Sequence, residues 1–203
     1  MSDKYDAELA WWTAEVDRRA KETAYRKTRD AMWAEQKDYY PGHLDIPDDH
    51  NCGRLLDVGA GPILPARRLK SDELWCVDPL FARYAEAGFP IGESRAILLP
   101  FHAENLWGIP SGFFDTVVSV NAMDHVDHFE QAVAEIRRVA KPGALIRLRL
   151  TYHAPTETEP MQLSDQRAAA AFASFGDVSQ LLPRIVHDQT LWGNQREVTR
   201  TDS

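Results

Sequence analysis

At 203 residues, with 44% hydrophobic side chains, the chain has the length of one domain and enough apolar content for a packed core. Its 31 acidic and 23 basic side chains leave a net charge of -8, which argues against any generic attraction to phosphate backbones or anionic membranes. The 2 cysteines, Cys52 and Cys76, form no CxxC pair, so no zinc ribbon or disulfide framework is readable and reduced, buried thiols are expected. The N-terminus has no apolar signal segment, and no run approaches the roughly 18 apolar residues of a membrane span, so a soluble, cytoplasmic protein is expected.

From about Asp6 to Lys37 the chain is rich in Ala, Glu, Lys and Arg and free of Pro and Gly, which predicts one long helix or two in series. Trp11, Tyr25 and Met32 are separated by multiples of seven and fall near one face, interrupted at Arg18; that face is expected to pack on the domain. Six cationic residues (Arg18, Arg19, Lys21, Arg26, Lys27, Arg29) are interleaved with Asp17, Glu22 and Asp30, which reads as a solvated helix face. Tyr39-Tyr40-Pro41-Gly42-His43 breaks the helix and begins a linker that runs to Asn51. The expected division is therefore a helical cap with its linker, residues 1–50, and a single unit, residues 51–203.

Beyond the linker, short β-rich runs alternate with helical ones, the signature of a parallel sheet. Strands are predicted at Arg54–Val58, Glu73–Val77, Ala96–Leu99, Thr116–Val120 and Ala144–Leu150, and helices at about Pro65–Leu69, Phe81–Ala87 and Phe129–Val139. Lys141-Pro142-Gly143 is expected to stop the last helix and turn the chain into the fifth strand. A helix near Asp165–Phe175 and strands at Arg184–His187 and Arg196–Thr201 complete the pattern.

The chemistry is carried by Leu55-Leu56-Asp57-Val58-Gly59-Ala60-Gly61-Pro62, which sets a Gly-x-Gly loop after a buried strand and before a helix. Two glycines let the backbone turn tightly and approach a ligand beyond the carboxyl end of the strand. Asp78, 17 residues after Gly61 and at the end of the second strand, can accept hydrogen bonds from both hydroxyls of a ribose. These features fit a dinucleotide or S-adenosylmethionine (SAM). SAM is favoured because Pro-Ile-Leu-Pro replaces the third glycine of the dinucleotide fingerprint, and because Asp57 would repel a pyrophosphate but suits the ammonium of a methionine moiety.

Five segments in order, LLDVGAGP (55–62), VDP (77–79), AENL (103–106), FDTVVSVNAMDHV (114–126) and EIRRVAKPGALIRL (135–148), resemble those of class I SAM-dependent methyltransferases, in particular the broad small-molecule group. The resemblance spans about half the chain. It implies an α/β fold with a doubly wound, mostly parallel Rossmann-like sheet of seven strands, the last one antiparallel, preceded here by the helical extension. It also implies that Asp57, Gly59 and Gly61 line the methionine end of SAM, that Asp78 holds the ribose, that Ala103 and Glu104 flank the adenine, and that Asn121 borders the transferred methyl, with Ala60 and Pro79 also cofactor-binding. Glu104 also reads as a plain surface-loop acid, and Asn121 as a helix cap. Pro62-Ile63 departs from the family, where a small residue is usual.

Methyl transfer from a sulfonium is an in-line displacement that demands alignment and exclusion of water, so a base is optional. His125 is the candidate general base at neutral pH, with structural packing or capping as its rival; His128, His102 and His153 rank below it. Asp124, His125, Asp127 and His128, with His153 within reach, resemble a metal cluster, but an Asp-rich helix start explains the acids equally well, so no metal is expected. The wall for the acceptor is assigned to the segments outside the shared sheet: Trp11, Trp12, Trp33, Tyr39, Tyr40, His43 and Tyr152 to Met161, with helix packing as the alternative for the tryptophans. An Asn-Pro-Pro-Tyr motif is absent, since Asn121 is followed by Ala-Met-Asp, so no nucleic-acid partner is expected. A small-molecule methyltransferase is the leading reading. A protein or RNA methyltransferase, a nicotinamide-dependent oxidoreductase and a silent binding module stay open.

Overall fold

The computed structural model describes residues 4–23, 44, 46–89, 91–93, 95–175, 180–182 and 194–200. Helix α1 (Lys4–Thr23) comes first, then β1 (Arg54–Val58), β2 (Glu73–Val77), α2 (Phe81–Glu86), β3 (Ile97–Leu99) and β4 (Phe114–Val120). Helix α3 (Phe129–Val139), β5 (Ala140–Tyr152), α4 (Asp165–Phe172), β6 (Gln180–Leu182) and β7 (Asn194–Arg200) follow, with short 3-10 turns at Pro65–Arg68, Ile91–Glu93 and Ala173–Phe175. The expected strand at 184–187 and the expected helix beyond Thr23 lie outside the described residues.

The sheet runs β3-β2-β1-β4-β5-β7-β6, seven strands in all. Strands β1 to β5 are mutually parallel, as the alternation of strand and helix predicted. Strand β7 lies antiparallel between β5 and β6. The parallel strands are apolar along nearly their whole length because both sheet faces are covered. Period-2 alternation divides them: Leu56, Val58, Val117, Ile146 and Leu148 face one core, while Leu55, Val118 and Val120 face the other with Leu44, Ile46 and Cys52. Helix α3 seals the first face through Phe129, Ala132, Val133, Ile136 and Val139, spaced at helical intervals and buried. Burying each of its large apolar side chains stabilises by about 1.5–3 kcal/mol. The segment read as a linker is thus partly core, because Leu44 and Ile46 pack under β1.

Lys141-Pro142-Gly143 acts differently from expectation. Helix α3 has already ended at Val139, and the three residues belong to β5, whose register against β4 slips from Phe114↔Ala140 to Thr116↔Leu145. They form a bulge, held by the ion pair of Lys141 with Asp115. Helix α4 carries a side-chain cap, where Ser164 Oγ accepts from Arg167 N at 3.2 Å. Both cysteines are buried free thiols, as expected. No helix among the described residues is long and apolar enough to cross a membrane.

Candidate active site

Strand order reverses between β1 and β4, so their chain continuations separate and leave a crevice at the carboxyl ends. Gly59 follows β1 there with φ 70, and a Cβ on it would stand 2.2 Å from that of Ala122, just past β4. Only glycine fits that approach. Gly61 also has positive φ, and its N–H donates to Asp78 Oδ2 at 2.9 Å while Leu80 N–H donates to Oδ1 at 2.9 Å. The carboxylate at the end of β2 is therefore built into the glycine loop as one unit, 7% exposed. Burial raises its pKa to about 6; the two backbone donors and His125 oppose the rise, and Glu8 adds to it. Asp57 is fully buried in β1, in register with Cys76 of β2 and Val118 of β4. Burial, then the charges of Asp57 and Asp78, push the Cys76 thiol well up, so it stays protonated. Ala60 is buried in the cluster beside this loop, and Pro79 is half-buried.

The loop after β3 is tied to the loop after β4. Glu104 Oε1 accepts from Asp127 N at 2.6 Å and His128 N at 3.2 Å, so this acid has a bracing role whatever else it meets. Ala103 packs against the main core. Asn121 takes a left-handed backbone, φ 50, directly after β4, and Thr151 Oγ1 donates to its Oδ1 at 2.9 Å. It caps no helix, since the N-cap of α3 is His128.

Helix α1 crosses these loops. Lys4 Nζ reaches the carbonyl of His125 at 3.0 Å and Asp127 Oδ1 at 2.6 Å; Tyr5 Oη meets His102 Nδ1 at 3.0 Å; Asp6 pairs with Arg83 of α2. Trp12 lies over Gly61 and donates from Nε1 to Glu8 Oε1 at 3.0 Å. The packed face is Tyr5, Leu9 and Trp12, whereas Trp11 is 44% exposed, so the face expected from Trp11 is corrected. The apolar spacing of 5, 9 and 12 was the better helical signal. Trp33, Tyr39, Tyr40 and His43 lie outside the described residues. Tyr152 ends β5 and packs against the main core.

Beneath α1 lies a polar group of which sequence found only part. His125 Nδ1 is 2.9 Å from Glu8 Oε2, and its Nε2 is 3.9 Å from Glu159 Oε1. His153 Nε2 is 3.1 Å from Asp124 Oδ2 and 3.8 Å from Glu159 Oε2. Burial disfavours charge on His125, but its hydrogen bond to Glu8 and the carboxylates of Glu8, Asp124 and Glu159 prevail and raise its pKa to about 9. The candidate base is thus protonated at neutral pH in the ligand-free protein. Burial raises Asp124, against the pull of His125 and His153. Asp127 and His128 are not part of this group: Asp127 turns to Lys4, and both residues are exposed. Glu8 and Glu159 were missed. An acid among the apolar positions 5, 9 and 12 was a readable signal for Glu8; Glu159 had none beyond its place in the segment after β5.

Residues 56–148 match the family model described as a methyltransferase domain. An uncharacterized protein of Mycobacterium tuberculosis is 30% identical over 98 residues, 44% of this chain and 33% of the relative. The chain thus spans about a third of the length of the curated relatives it matches. Among solved structures, a chain from the Haloferax volcanii complex of a methyltransferase and its activator aligns over 100% of both chains at TM-score 0.62 and 15% identity. The YcgJ protein of Bacillus subtilis aligns over 70% of this chain and 68% of its own at TM-score 0.56 and 20% identity. A SAM-dependent methyltransferase of Thermotoga maritima aligns over 72% and 74% at TM-score 0.53 and 21% identity. At such identities the likeness concerns the fold. The matched region thus resembles a methyltransferase domain, and the solved structures share its Rossmann-like fold.

Proposed function

We propose that this chain transfers the methyl group of SAM to a small-molecule acceptor, at oxygen or nitrogen. The observation that carries the reading is the union of Asp78 with the glycine loop under α1: a buried carboxylate at the end of β2, a loop that glycines form, and a helix over both. The donor set fits the cofactor, because each oxygen of Asp78 accepts one backbone N–H and keeps a lone pair for a hydroxyl.

Bound SAM would supply an electrophilic methyl on a sulfonium. In this reading Asp57, Gly59, Ala60 and Gly61 line its methionine end, Asp78 and Pro79 hold the ribose, Ala103 and Glu104 flank the adenine, and Asn121 borders the methyl. Helix α1 caps the methyltransferase unit, which takes in Leu44 and Ile46 besides the part of the chain from 51 onward. Helix α1 excludes water and, with Trp11, Trp12 and Tyr152, borders the acceptor. Enclosure by α1, together with net charge -8, favours a small acceptor over protein or RNA. His125 serves as base only after giving up the proton it shares with Glu8, so an acceptor that ionises on its own, or a pre-formed nucleophile, suits the site best.

Calorimetry with S-adenosylhomocysteine (SAH), alongside NAD and NADP, tests the cofactor. Micromolar binding of SAH alone is expected; binding of a dinucleotide instead, or no binding, would overturn the reading. Incubation with methyl-labelled SAM and separated cell fractions tests the acceptor. Label entering the low-molecular-weight fraction is expected, and label confined to protein or RNA would refute the small-molecule assignment.

A further inference from the structure

The polar group under α1 is richer than alignment of a methyl donor requires. Asp124, His125 and Glu159 place three ligand atoms within 4.8 Å of one another. His153 adds a fourth, 3.1 Å from Asp124 and 3.8 Å from Glu159.

Both imidazoles are fixed from behind. His153 Nδ1 lies 2.7 Å from the carbonyl of Ala154, which only accepts, so Nδ1 carries the proton and Nε2 faces the carboxylates. His125 Nδ1 is held by Glu8, and its Nε2 points to Glu159 from 3.9 Å, beyond hydrogen-bond reach. A carbonyl or carboxylate behind one ring nitrogen is how proteins aim the other at a metal ion.

Asp124 gives an independent sign. It stands four residues before the N-cap of α3, so a helix start does not account for it. It is 1% exposed, yet its Oδ1 has no hydrogen-bond partner. A buried carboxylate oxygen left so is costly unless a cation meets it.

We propose that Asp124, His125, His153 and Glu159 bind one divalent first-row transition-metal ion, with Glu8 and the Ala154 carbonyl as outer anchors. Two imidazoles beside two carboxylates suit manganese, iron, cobalt or zinc better than magnesium or calcium, which favour all-oxygen sites. Donors bonded at about 2.1 Å to one ion lie at most roughly 4.2 Å apart, so the spacings of 3.1, 3.8 and 3.9 Å already fit, and the set of Asp124, His125 and Glu159, within 4.8 Å, must close by under about 1 Å. The ion would lower the pKa of an acceptor hydroxyl. That role rests on the proposed methyl transfer; the binding of the ion does not.

The test uses the full chain, stripped with EDTA and desalted, and titrated by calorimetry and visible absorption with Co2+, Zn2+, Mn2+ and Mg2+. One ion per chain is expected, with visible cobalt bands of nitrogen-ligated metal and Mg2+ at least tenfold weaker. His153→Ala and Glu159→Gln should each weaken Co2+ at least tenfold, while His128→Ala, outside the group, should bind as the unaltered protein does. Absence of stoichiometric binding, affinity indifferent to both ligand variants, or loss in His128→Ala would overturn the site. The cobalt spectrum of the unaltered chain decides the matter even where a variant fails to fold. Loss of SAH binding with metal binding intact would sink the methyl-transfer reading alone.

Discussion

If Asp78 holds the ribose as proposed, cofactor binding depends on pH. Its pKa in the ligand-free protein stands at about 6, against an ordinary value near 4. The groups facing it are Glu8 of α1, His125 after β4, and Cys76 and Tyr84, both of which burial keeps neutral. Ribose hydroxyls donate to the ionised carboxylate, so SAH selects that form. Between pH 7.5 and 5 the ionised fraction falls from about 0.97 to about 0.09 at a pKa of about 6, which weakens binding roughly tenfold. An unperturbed carboxylate would lose under about 10% over that range. The sign for stability is the reverse. A folded-state pKa above the unfolded one stabilises fully below about pH 4, and the gain is lost as pH rises through about 6, amounting to about 3 kcal/mol. Calorimetry of SAH in EDTA-containing buffer, with thermal unfolding of the ligand-free chain at each pH, reads both effects. Affinity flat from pH 7.5 to 5 would refute the ribose assignment of Asp78.

Asp78→Asn keeps one acceptor oxygen where two backbone donors, Gly61 and Leu80, now bond, so SAH affinity at pH 7.5 should fall by at least about 1.5 kcal/mol and its pH dependence flatten, both readable by calorimetry. Gly59→Ala forces a methyl to 2.2 Å from the Cβ of Ala122 as well as a left-handed alanine, so the melting temperature should drop by roughly 6–16 °C for about 3–4 kcal/mol. Gly61→Ala meets only Trp12 Cζ2 at 3.6 Å and should cost about 1–2 kcal/mol, while adding Ala122→Gly to Gly59→Ala should recover at least about 1.5 kcal/mol; equal melting of all three variants would contradict the contact. Arg138→Ala removes a two-pronged pair with Glu135 and donors to the carbonyls of Leu106 and Ile109, for about 2 kcal/mol and roughly 4–8 °C of melting temperature, checked by calorimetric unfolding.

What sequence disclosed was local. Strands β1 and β2 and helix α3 begin and end where their patterns predict, because a run such as RLLDV or an amphipathic FEQAVAEIRRV declares its own period. The β4 and β5 ends ran longer than expected because ladder pairing extends into Phe114 and Ala140, which hydropathy alone does not reveal. The glycine loop was legible for the same reason as the strands, since its two glycines directly follow β1, and the acid it bonds ends the next strand only 17 residues on. The polar group was not. Glu8 and His125, or Asp124 and His153, meet only through the sheet, and no periodicity marks a contact across 29 or more residues. Misreading Trp11 had a different cause: a seven-residue spacing tracked over 21 residues drifts off one face of a straight helix, whereas 5, 9 and 12 lie within two turns.

The contacts of α1 are of another energetic kind from those of the sheet. Each loop after β1 to β4, with α2, receives at least one residue of the helix: Trp12 at Gly61, Asp6 at Arg83, Tyr5 at His102, and both Lys4 and Glu8 at the His125 loop. Two of its ion pairs have a half-exposed acid, 55% at Asp127 and 52% at Asp6, and such pairs stabilise by about 0–1 kcal/mol, whereas the pair of Glu8 with His125 is largely buried and is the firmer tie. Its apolar face is only partly buried, whereas Leu55, Leu56, Val117 and Val118 beneath it are buried entirely. The helix is therefore held less firmly than the strands, and its departure would break the Glu8–His125 pair while leaving the groups on the strand ends in place. Position is set by the sheet and access by α1, so substitutions on Tyr5, Leu9 or Trp12 alter entry and acceptor fit before they alter the fold.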